Sequence, residues 1–500
     1  MTDFETYTSI EHELEHEVQH ECGVFGIYAP QPVEAAQIAY YGLYALQHRG
    51  QQGCGIVIND DGLFYEHRDL GLISQVFTPE VIGKLPMGQI AVAHTRYSSA
   101  KSDHRANCQP IIVQHIKGHT ALAHNGKLTN SRELRDELEL QGSIFHTTSD
   151  TEVISYLITK ERLTAPSIEE ALNRAMHRLK GSFSLVLMSS SKLVAARDEN
   201  GIHPLCYGQC TDGTYIVASE SCALEACSAD FIREIEPGEI VVFSAEGVHS
   251  IKDHCNKQPK STCIFEYVYT ARPDSQIDGL GVHDSRLRAG ACLARRHPAD
   301  ADVVIGVPDS GLDAAIGFAR ESGIPFEIGF LKNKYIGRTF ISPTQAMRQN
   351  QVRIKLNPIS SAVRGKRVVM VDDSIVRGTT CKRIVSLLRH AGATEVHVRL
   401  SSPKFLNPCY YGTDIYSKEN LIACKYDTEG IREYIGADSV GYLDLEDLPE
   451  IVGVKDCAGF GGSCNGYCCG CFDGVYPTEL PKDTGKRPYE TKLSEREAKQ

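Results

Sequence analysis

Residues 368–380 read VVMVDDSIVRGTT, and this stretch decides the fold of the second half of the chain. The apolar run 368–371 is typical of a strand that is buried on both faces in a parallel sheet. Two acids follow the run, and the spacing of apolar residues in 381–391 then predicts a helix that ends at Gly392. The stretch therefore predicts a buried strand, an acidic loop and a helix in immediate succession.

The loop between this strand and helix has the chemistry to bind a sugar phosphate. Backbone N–H groups at the helix start and the hydroxyls of Thr379 and Thr380 can hold a phosphate. Asp372 and Asp373 can accept hydrogen bonds from ribose hydroxyls. A strand end with a capping Asp and a Thr turn is the alternative, but it does not account for the order of all thirteen residues.

The thirteen residues resemble the phosphoribosylpyrophosphate (PRPP) motif of type I phosphoribosyltransferases, in the wording found in the glutamine PRPP amidotransferase family. The resemblance implies that PRPP is bound by motif residues, namely Asp372, Asp373, Ser374, Arg377, Gly378, Thr379 and Thr380. The segment 302–315, DVVIGVPDSGLDAA, resembles the pyrophosphate loop of the same family. It would bring Ser310 to Asp372 and Asp373 around Mg²⁺, a hard cation that prefers oxygen ligands.

Residues 330–341, FLKNKYIGRTFI, resemble the loop that closes over bound PRPP in this family. Lys332, Lys334 and Arg338 would neutralise the departing pyrophosphate, and the closed loop would exclude water. Relatives often have Arg where this chain has Lys334. A basic surface loop is the alternative for each of the three.

Composition excludes several classes of protein. A chain of 500 residues is long enough for two or three domains, and its net charge of −12 argues against nucleic acid as a partner. No apolar run reaches the length of a membrane span, so we expect a soluble, cytoplasmic protein. Eighteen cysteines in a large chain without a signal peptide favour thiols, a metal site or catalysis over disulfides.

The polar segment 1–21 contains two HExxH strings, which would align His12, His16 and His20 on a helix. A zinc site is one interpretation, and a solvated Glu/His tract without a core is the other. The family resemblance implies a propeptide, whose removal would free Cys22. The α-amino group of Cys22 would then serve as the general base for its own thiol.

Four polar clusters after Cys22 resemble the N-terminal-nucleophile glutamine amidotransferase domain: LQHRGQQGCG, HTRYSSA, AHNGKLTN and TTSDTEV. The resemblance implies that Arg96 binds the α-carboxylate of glutamine and Asp150 its α-ammonium group. Asn125 and Gly126 would donate to the oxyanion. Arg49 would be a substrate-site residue with a supporting role near the nucleophile, and His94 and His124 would be structural.

The predicted architecture combines α/β and α+β parts. A propeptide, 1–21, precedes an αββα sandwich of antiparallel sheets, 22–258, with helices near 33–48, 130–141, 149–163 and 167–179. A phosphoribosyltransferase domain with a parallel sheet follows over 259–480, after a polar linker near 251–262. The charged tail 481–500 is expected to be disordered.

The C-terminal cysteines allow two kinds of metal site. By spacing, Cys457, Cys464, Cys468 and Cys471 can form a zinc knuckle. The resemblance to the iron–sulfur branch of the family instead implies a structural 4Fe-4S cluster on Cys263, Cys409, Cys468 and Cys471. Cys469 adjoins Cys468 and competes with it for that role.

The resemblance implies an enzyme that takes ammonia from glutamine and transfers it to PRPP, the first committed step of purine synthesis. An internal passage would keep ammonia unprotonated. Purine nucleotides would be feedback inhibitors and the enzyme a homotetramer. The alternatives are a regulatory protein that binds PRPP or nucleotides without turnover, and a zinc-binding module.

Overall fold

The structure is a computed structural model, and it describes residues 22–97, 105–333, 356–413, 415, 417–453 and 466–482. The predictions for segment 1–21, for Lys334 and Arg338, for Cys457 and Cys464, and for the tail beyond Lys482 lie outside the described residues. None of the helices within these ranges has the length and apolar character that a membrane crossing requires.

Two antiparallel sheets form the first half of the described chain. The seven-stranded sheet has the spatial order Asp230–Glu234, Cys206–Gln209, Tyr215–Ala218, Gly23–Val33, Gly88–Arg96, Gly53–Asp60 and Leu63–Leu70. The six-stranded sheet has the order Gly247–Ile251, Ile240–Ser244, Leu193–Arg197, Ser184–Met188, Gly118–Asn125 and Ile111–His115. Alternate residues of both sheets, such as Val24, Val92 and Ala123, meet in one core between them.

Helices cover the outer faces of both sheets. The helices Ala35–Ala45 and Ser221–Ala226 pack on the seven-stranded sheet, and Ser131–Leu140, Asp150–Arg162 and Ile168–Met176 pack on the six-stranded sheet. Ser149 and Ser167 cap two of these helices through their side chains. The predicted αββα sandwich and its four predicted helices are therefore confirmed, with slightly shorter bounds. Short helices are Ile73–Val76, Pro79–Ile82 and the 3₁₀ turn Arg105–Asn107.

A four-stranded parallel sheet organises the second half, in the order Val303–Gly306, Arg367–Asp372, Glu395–Leu400 and Ser439–Tyr442. Val369 and Val371 pack towards the helices Val282–Arg296 and Gly311–Ser322. Val368 and Met370 pack on the other side, towards Thr379–Ala391 and Thr428–Ile435. The strand predicted from 368–371 is therefore buried on both faces, as expected.

Shorter elements complete the second half. They are the π-helical turn Glu266–Thr270, the helices Ser360–Val363, Ile422–Lys425, Leu448–Ile451 and Gly470–Asp473, the 3₁₀ turns Lys418–Asn420 and Leu445–Asp447, and the strand pairs Gln276–Ile277 with Leu280–Gly281 and Phe330–Lys332 with Leu356–Pro358. A parallel pair, Thr262–Cys263 with Tyr467–Cys468, joins the start of this half to its end. The last strand of the sandwich ends at Ile251, so the two halves meet in the interval that follows.

Candidate active sites

Cys22 lies directly before the strand Gly23–Val33, beside the end of a neighbouring strand. Antiparallel pairing aligns Gly23 with Thr95, so Cys22 comes next to the segment that contains Arg96 and Tyr97. The Tyr97 N–H donates to Cys22 Sγ over 3.5 Å. The half-buried thiol therefore has a backbone donor aimed at its sulfur, and the neighbouring strand end carries Arg96, which is almost fully buried.

Asn125 and Gly126 lie at the end of a strand in the facing sheet. His94 Nε2 lies 3.2 Å from the His124 carbonyl oxygen, and this contact brings the two strand ends to one edge of the sandwich. The Asn125 amide is 1% exposed, and within the described part of the chain neither of its polar atoms has a hydrogen-bond partner. A buried amide without a partner costs about 1–3 kcal/mol, so we expect a ligand to satisfy it.

Backbone geometry explains the glycine after Asn125. Gly126 has φ +129°, and a Cβ there would lie 2.4 Å from the Ser182 carbonyl oxygen. Only glycine fits this close approach. Asp150, the first residue of the helix Asp150–Arg162, accepts a hydrogen bond from the Leu128 N–H over 2.9 Å. The structure thus brings Asp150, the predicted partner of the α-ammonium group, to the loop that follows Asn125 and Gly126, the predicted oxyanion donors. These roles stay predictions.

The two histidines of this edge are buried and uncharged near neutral pH. Burial, and then the charge of Arg96, lower the pKa of His94 to about 3. Burial likewise lowers the pKa of His124 to about 4. Neutral rings that bond to backbone carbonyls fit the structural role expected for both.

Arg49 is fully buried and contacts the nucleophile through the backbone. Its Nε donates to the Cys22 carbonyl oxygen over 3.1 Å. Its Nη1 and Nη2 donate to Glu220 and to Glu266, the latter from the second half of the chain. The position beside Cys22 is the predicted one. In the structure the guanidinium holds the Cys22 backbone and pairs with two buried carboxylates, and a role of Arg49 at the substrate stays a prediction.

The second site lies at the carboxyl edge of the parallel sheet. Asp372 ends the strand Arg367–Asp372, Asp373 follows it, and each of the two residues is 8% exposed. Ser310, which precedes the helix Gly311–Ser322, donates its hydroxyl to Asp373. Ser374 donates to the other oxygen of the same carboxylate over 2.5 Å. Carboxylate and hydroxyl oxygens therefore gather here, and their chemistry fits magnesium held partly through water.

The loop after these acids leads into a helix N-terminus, as expected. Gly378 has φ +83°, and a Cβ there would lie 2.5 Å from Ile422. Thr379 and Thr380 form the first turn of the helix, which ends at the left-handed Gly392 as predicted. Lys332 ends the strand Phe330–Lys332 and pairs with Asp309, in the loop that is predicted to receive pyrophosphate. Arg377 lies between the acids and this helix.

The four predicted cluster cysteines converge from three segments. Cys468 packs against Cys263 and Cys409 in one small buried cluster. Burial raises the pKa of Cys471, and the neighbouring Cys409 and Cys468 raise it further. Cys469 is fully buried in the main core of this half, whereas Cys468 belongs to the small cluster that Cys263 and Cys409 pack against. The choice of Cys468 as the ligand stays a prediction.

The arrangement of side chains that binds a single metal ion differs from the arrangement that binds an iron–sulfur cluster. As the side chains stand, no three His, Cys, Asp or Glu residues in the described ranges are arranged to hold a metal ion. An iron–sulfur cluster spaces its four thiolates farther apart than one ion does, so it does not require that arrangement. Two members of the alternative zinc knuckle lie outside the described residues.

Three residues that support the nucleophile were not identified from the sequence. Tyr97, Glu220 and Glu266 contact Cys22 directly or through Arg49. Glu266 had a local signal, because it is the one acid in the apolar segment CIFEYVY. A charge in such a run is rarely left unpaired when it is buried.

Protein-family models match both halves of the chain. Residues 94–226 match the glutamine amidotransferase domain, and residues 286–404 match the phosphoribosyl transferase domain. These matches define the class of the protein: a glutamine amidotransferase joined to a phosphoribosyltransferase.

Relatives identify the family. Amidophosphoribosyltransferase of Bacillus subtilis (strain 168) is 47% identical over 465 residues, which cover 93% of this chain and 95% of the relative. That of Methanocaldococcus jannaschii is 46% identical, with coverage of 92% and 98%. The chain therefore belongs to the amidophosphoribosyltransferase family. The prediction of an enzyme with both activities is confirmed, in place of a non-catalytic binding protein or a zinc module.

Solved structures share the whole architecture. The glutamine PRPP amidotransferase of B. subtilis, complexed with ADP and GMP, has a TM-score of 0.85 at 46% identity and covers 93% of this chain and 99% of its own. A structure described as the allosteric regulatory enzyme of purine biosynthesis has a TM-score of 0.86 at 45% identity, with coverage of 95% and 100%. The predicted fold class is confirmed.

Proposed function

We propose that the two sites act in sequence on glutamine and PRPP. Ammonia released beside Cys22 displaces pyrophosphate from PRPP and gives 5-phosphoribosylamine, with glutamate as the second product. The observation that carries this proposal is the unpartnered, buried Asn125 amide at the edge of the sandwich that also holds a thiol. Such an amide is suited to an oxyanion that exists only during the reaction.

The first half-reaction needs a base for the thiol. Once residues 1–21 are removed, the α-amine of Cys22 takes the thiol proton while sulfur attacks the side-chain amide carbon of glutamine. The Asn125 side chain and the Gly126 N–H hold the oxyanion, and the C–N bond breaks as the proton passes to leaving ammonia. Arg96 and Asp150 hold the glutamine, and water then releases glutamate from the thioester.

The second half-reaction takes place at the parallel sheet. Asp372 and Asp373 accept hydrogen bonds from the ribose hydroxyls, and the start of the helix Thr379–Ala391 holds the 5-phosphate. Ammonia attacks C1 while the bond from C1 to the pyrophosphate oxygen breaks, and Lys332 and Arg338 balance the departing charge. Magnesium near Ser310 and the two acids would neutralise part of the pyrophosphate charge when bound.

Two variants separate the half-reactions. Cys22→Ala is expected to lose glutamine-dependent synthesis and keep synthesis from added ammonia. Asp373→Asn is expected to lose synthesis from either nitrogen source and keep hydrolysis of glutamine. Product formation and glutamate release are measured for both. Loss of ammonia-dependent synthesis in Cys22→Ala would contradict the separation.

We also propose a structural 4Fe-4S cluster on Cys263, Cys409, Cys468 and Cys471. It would join the strand Thr262–Cys263 to the C-terminal segment, which already pairs with it. Anaerobically purified protein is expected to be brown, and Cys409→Ser to lose the absorbance near 400 nm together with thermal stability. Cys469→Ser should keep the colour. A colourless protein containing stoichiometric zinc would refute this assignment.

Processing, assembly and regulation complete the proposal. The related B. subtilis structure contains ADP and GMP, which supports inhibition of this enzyme by purine nucleotides. The intact mass of native protein is expected to show loss of residues 1–21, and light scattering to show a tetramer. Full glutamine-dependent activity in protein that retains those residues would exclude the α-amine as base.

A further inference from the structure

A buried ion pair joins the nucleophile of one half to the other half. Arg49 donates Nη2 to Glu266 Oε1 over 2.6 Å and Nη1 to Glu266 Oε2 over 3.0 Å, so the pair is bidentate. Both side chains are 0% exposed. The remaining edge of the same guanidinium reaches the Cys22 carbonyl oxygen. A carboxylate of the phosphoribosyltransferase half is thus connected to Cys22 through one side chain, that of Arg49.

The second acid of this group comes from the amidotransferase half. Glu220 accepts from Arg49 Nη1 over 2.5 Å and from His48 Nε2 over 2.7 Å. It also accepts from the Ser275 hydroxyl across the boundary. Burial raises the pKa of Glu220, but His48 and Arg49 outweigh burial and hold it well below the usual value. Two fixed carboxylates therefore clamp one guanidinium.

The turn that carries Glu266 is itself held rigidly. Arg286, 3% exposed, donates to the carbonyl oxygens of Tyr267, Tyr269 and Ala271, which lie in or just after the turn Glu266–Thr270. A buried guanidinium with three carbonyl partners fixes the backbone of that turn. Because the backbone of Glu266 has little freedom, its carboxylate can hold the Arg49 guanidinium in one place.

The contacts continue from Glu266 to the predicted oxyanion loop. His203 Nδ1 lies 3.5 Å from Glu266 Oε1, and its Nε2 lies 2.8 Å from the Tyr411 carbonyl oxygen. The Ser182 hydroxyl donates to the same Tyr411 oxygen over 2.6 Å. Ser182 Oγ also accepts from the N–H of Lys127, the residue after Gly126. The second half is thus connected to the nucleophile through Arg49 and to the loop that would hold the oxyanion through Ser182.

We propose that Glu266 is a positioning residue for the amidotransferase reaction, which fixes the backbone of Cys22 through Arg49. This proposal rests on the proposed function. The nucleophile is then held in its reactive place only while the phosphoribosyltransferase half is packed against it. A bidentate pair restrains orientation as well as distance, which a thiol needs when it must attack one face of an amide carbon.

The test uses the full-length protein and the variant Glu266→Gln, which keeps the size of the side chain and removes its charge. The kcat for glutamine hydrolysis is expected to fall about ten- to a hundredfold, since small misplacements of reacting groups cost this much. The KM for glutamine and the rate of synthesis from ammonia are expected to stay within about twofold, because Glu266 touches neither substrate.

The matched control is Glu479→Gln. Glu479 forms an exposed ion pair with Lys180 of the amidotransferase half, so this variant removes the same charge from an exposed contact between the halves. Its kinetics are expected to match the unmodified enzyme, because exposed pairs contribute little. An equal loss in both variants would overturn the proposal.

A double-mutant cycle tests the route through Arg49. If Glu266 acts through Arg49, the loss in kcat for Arg49→Lys combined with Glu266→Gln is no greater than the larger single loss. Additive losses, an unchanged kcat in Glu266→Gln, or equal losses with glutamine and with ammonia would each overturn it. If Glu266→Gln does not fold, Glu266→Asp replaces it, with the same expected split. Absence of glutamine hydrolysis in unmodified, processed enzyme would instead refute the proposed function.

Discussion

Replacing Asn125 by alanine should separate activity from stability. If its amide is one of two oxyanion donors, its loss costs about 2.7–4 kcal/mol of transition-state stabilisation, or about 10²–10³ in kcat. The KM for glutamine should change little if, as proposed, the substrate is held mainly through its α-carboxylate by Arg96 and its α-ammonium group by Asp150. Ammonia-dependent synthesis should be unaffected.

The effect on stability follows from the missing partners of this side chain. Within the described residues both polar atoms of Asn125 lack hydrogen bonds, so the folded protein already bears an unsatisfied amide at a cost of about 1–3 kcal/mol. Alanine removes that cost and leaves a small cavity, and the two effects oppose each other. The free energy of unfolding should therefore change by less than about 1 kcal/mol.

Asn59 provides the matched control, because it is an equally buried asparagine with satisfied atoms. Its amide donates to the carbonyl oxygens of Ser189 and Ser190 and accepts from the Gly62 N–H. Asn59→Ala leaves these partners unpaired, which should destabilise the protein by about 1–3 kcal/mol while kcat is retained.

Chemical denaturation and glutaminase kinetics on both variants give the comparison. A kcat for Asn125→Ala within a few-fold of the unmodified enzyme would refute the oxyanion role. A destabilisation as large as that of Asn59→Ala would refute the conclusion that the amide is unsatisfied in the free enzyme.

Two further predictions concern the same edge of the sandwich. The folded-state pKa values of His94 and His124, about 3 and about 4, lie below the ordinary 6.5, so the unfolded chain binds protons that the folded protein excludes. The free energy of unfolding should therefore fall as the pH drops from 6.5 towards 4. In His94→Gln, chemical denaturation should show a smaller fall, by up to about 1.4 kcal/mol per pH unit, because one of the two histidines is gone. Gly126→Ala should lose glutaminase activity and thermal stability, whereas Gly118→Ala, with φ +116° and open space around the added Cβ, should be active and only mildly strained. Equal effects of the two alanines would exclude the clash with Ser182 as the cause.

Local patterns were sufficient to predict the elements that carry both sites. The run 368–371 predicted a doubly buried strand because every residue was apolar, and the helix to Gly392 followed from spacing and a terminal glycine. The helices predicted near 149–163 and 167–179 begin after Ser149 and Ser167, whose side chains cap them in the structure. In these cases the physical cause, burial or capping, acts within a few residues, so it is visible in the sequence.

Contacts between the halves could not be predicted in this way. Arg49 and Glu266 are 217 positions apart, and no periodicity connects them. The use of the Tyr411 carbonyl oxygen as an acceptor for Ser182 and as a partner of His203 depends on how two finished folds pack together. The sequence shows the charge in CIFEYVY, and only the structure shows its partner.

The parallel pair Thr262–Cys263 with Tyr467–Cys468 has a consequence for synthesis on the ribosome. The sandwich can close once its last strand, Gly247–Ile251, has emerged, but the core around Ile264 and Phe265 must wait for Phe472. Glu266 reaches its final place only at that late moment. If Glu266 positions Cys22 as proposed, a nascent amidotransferase half would hydrolyse cellular glutamine only slowly until the half that consumes the ammonia has been translated.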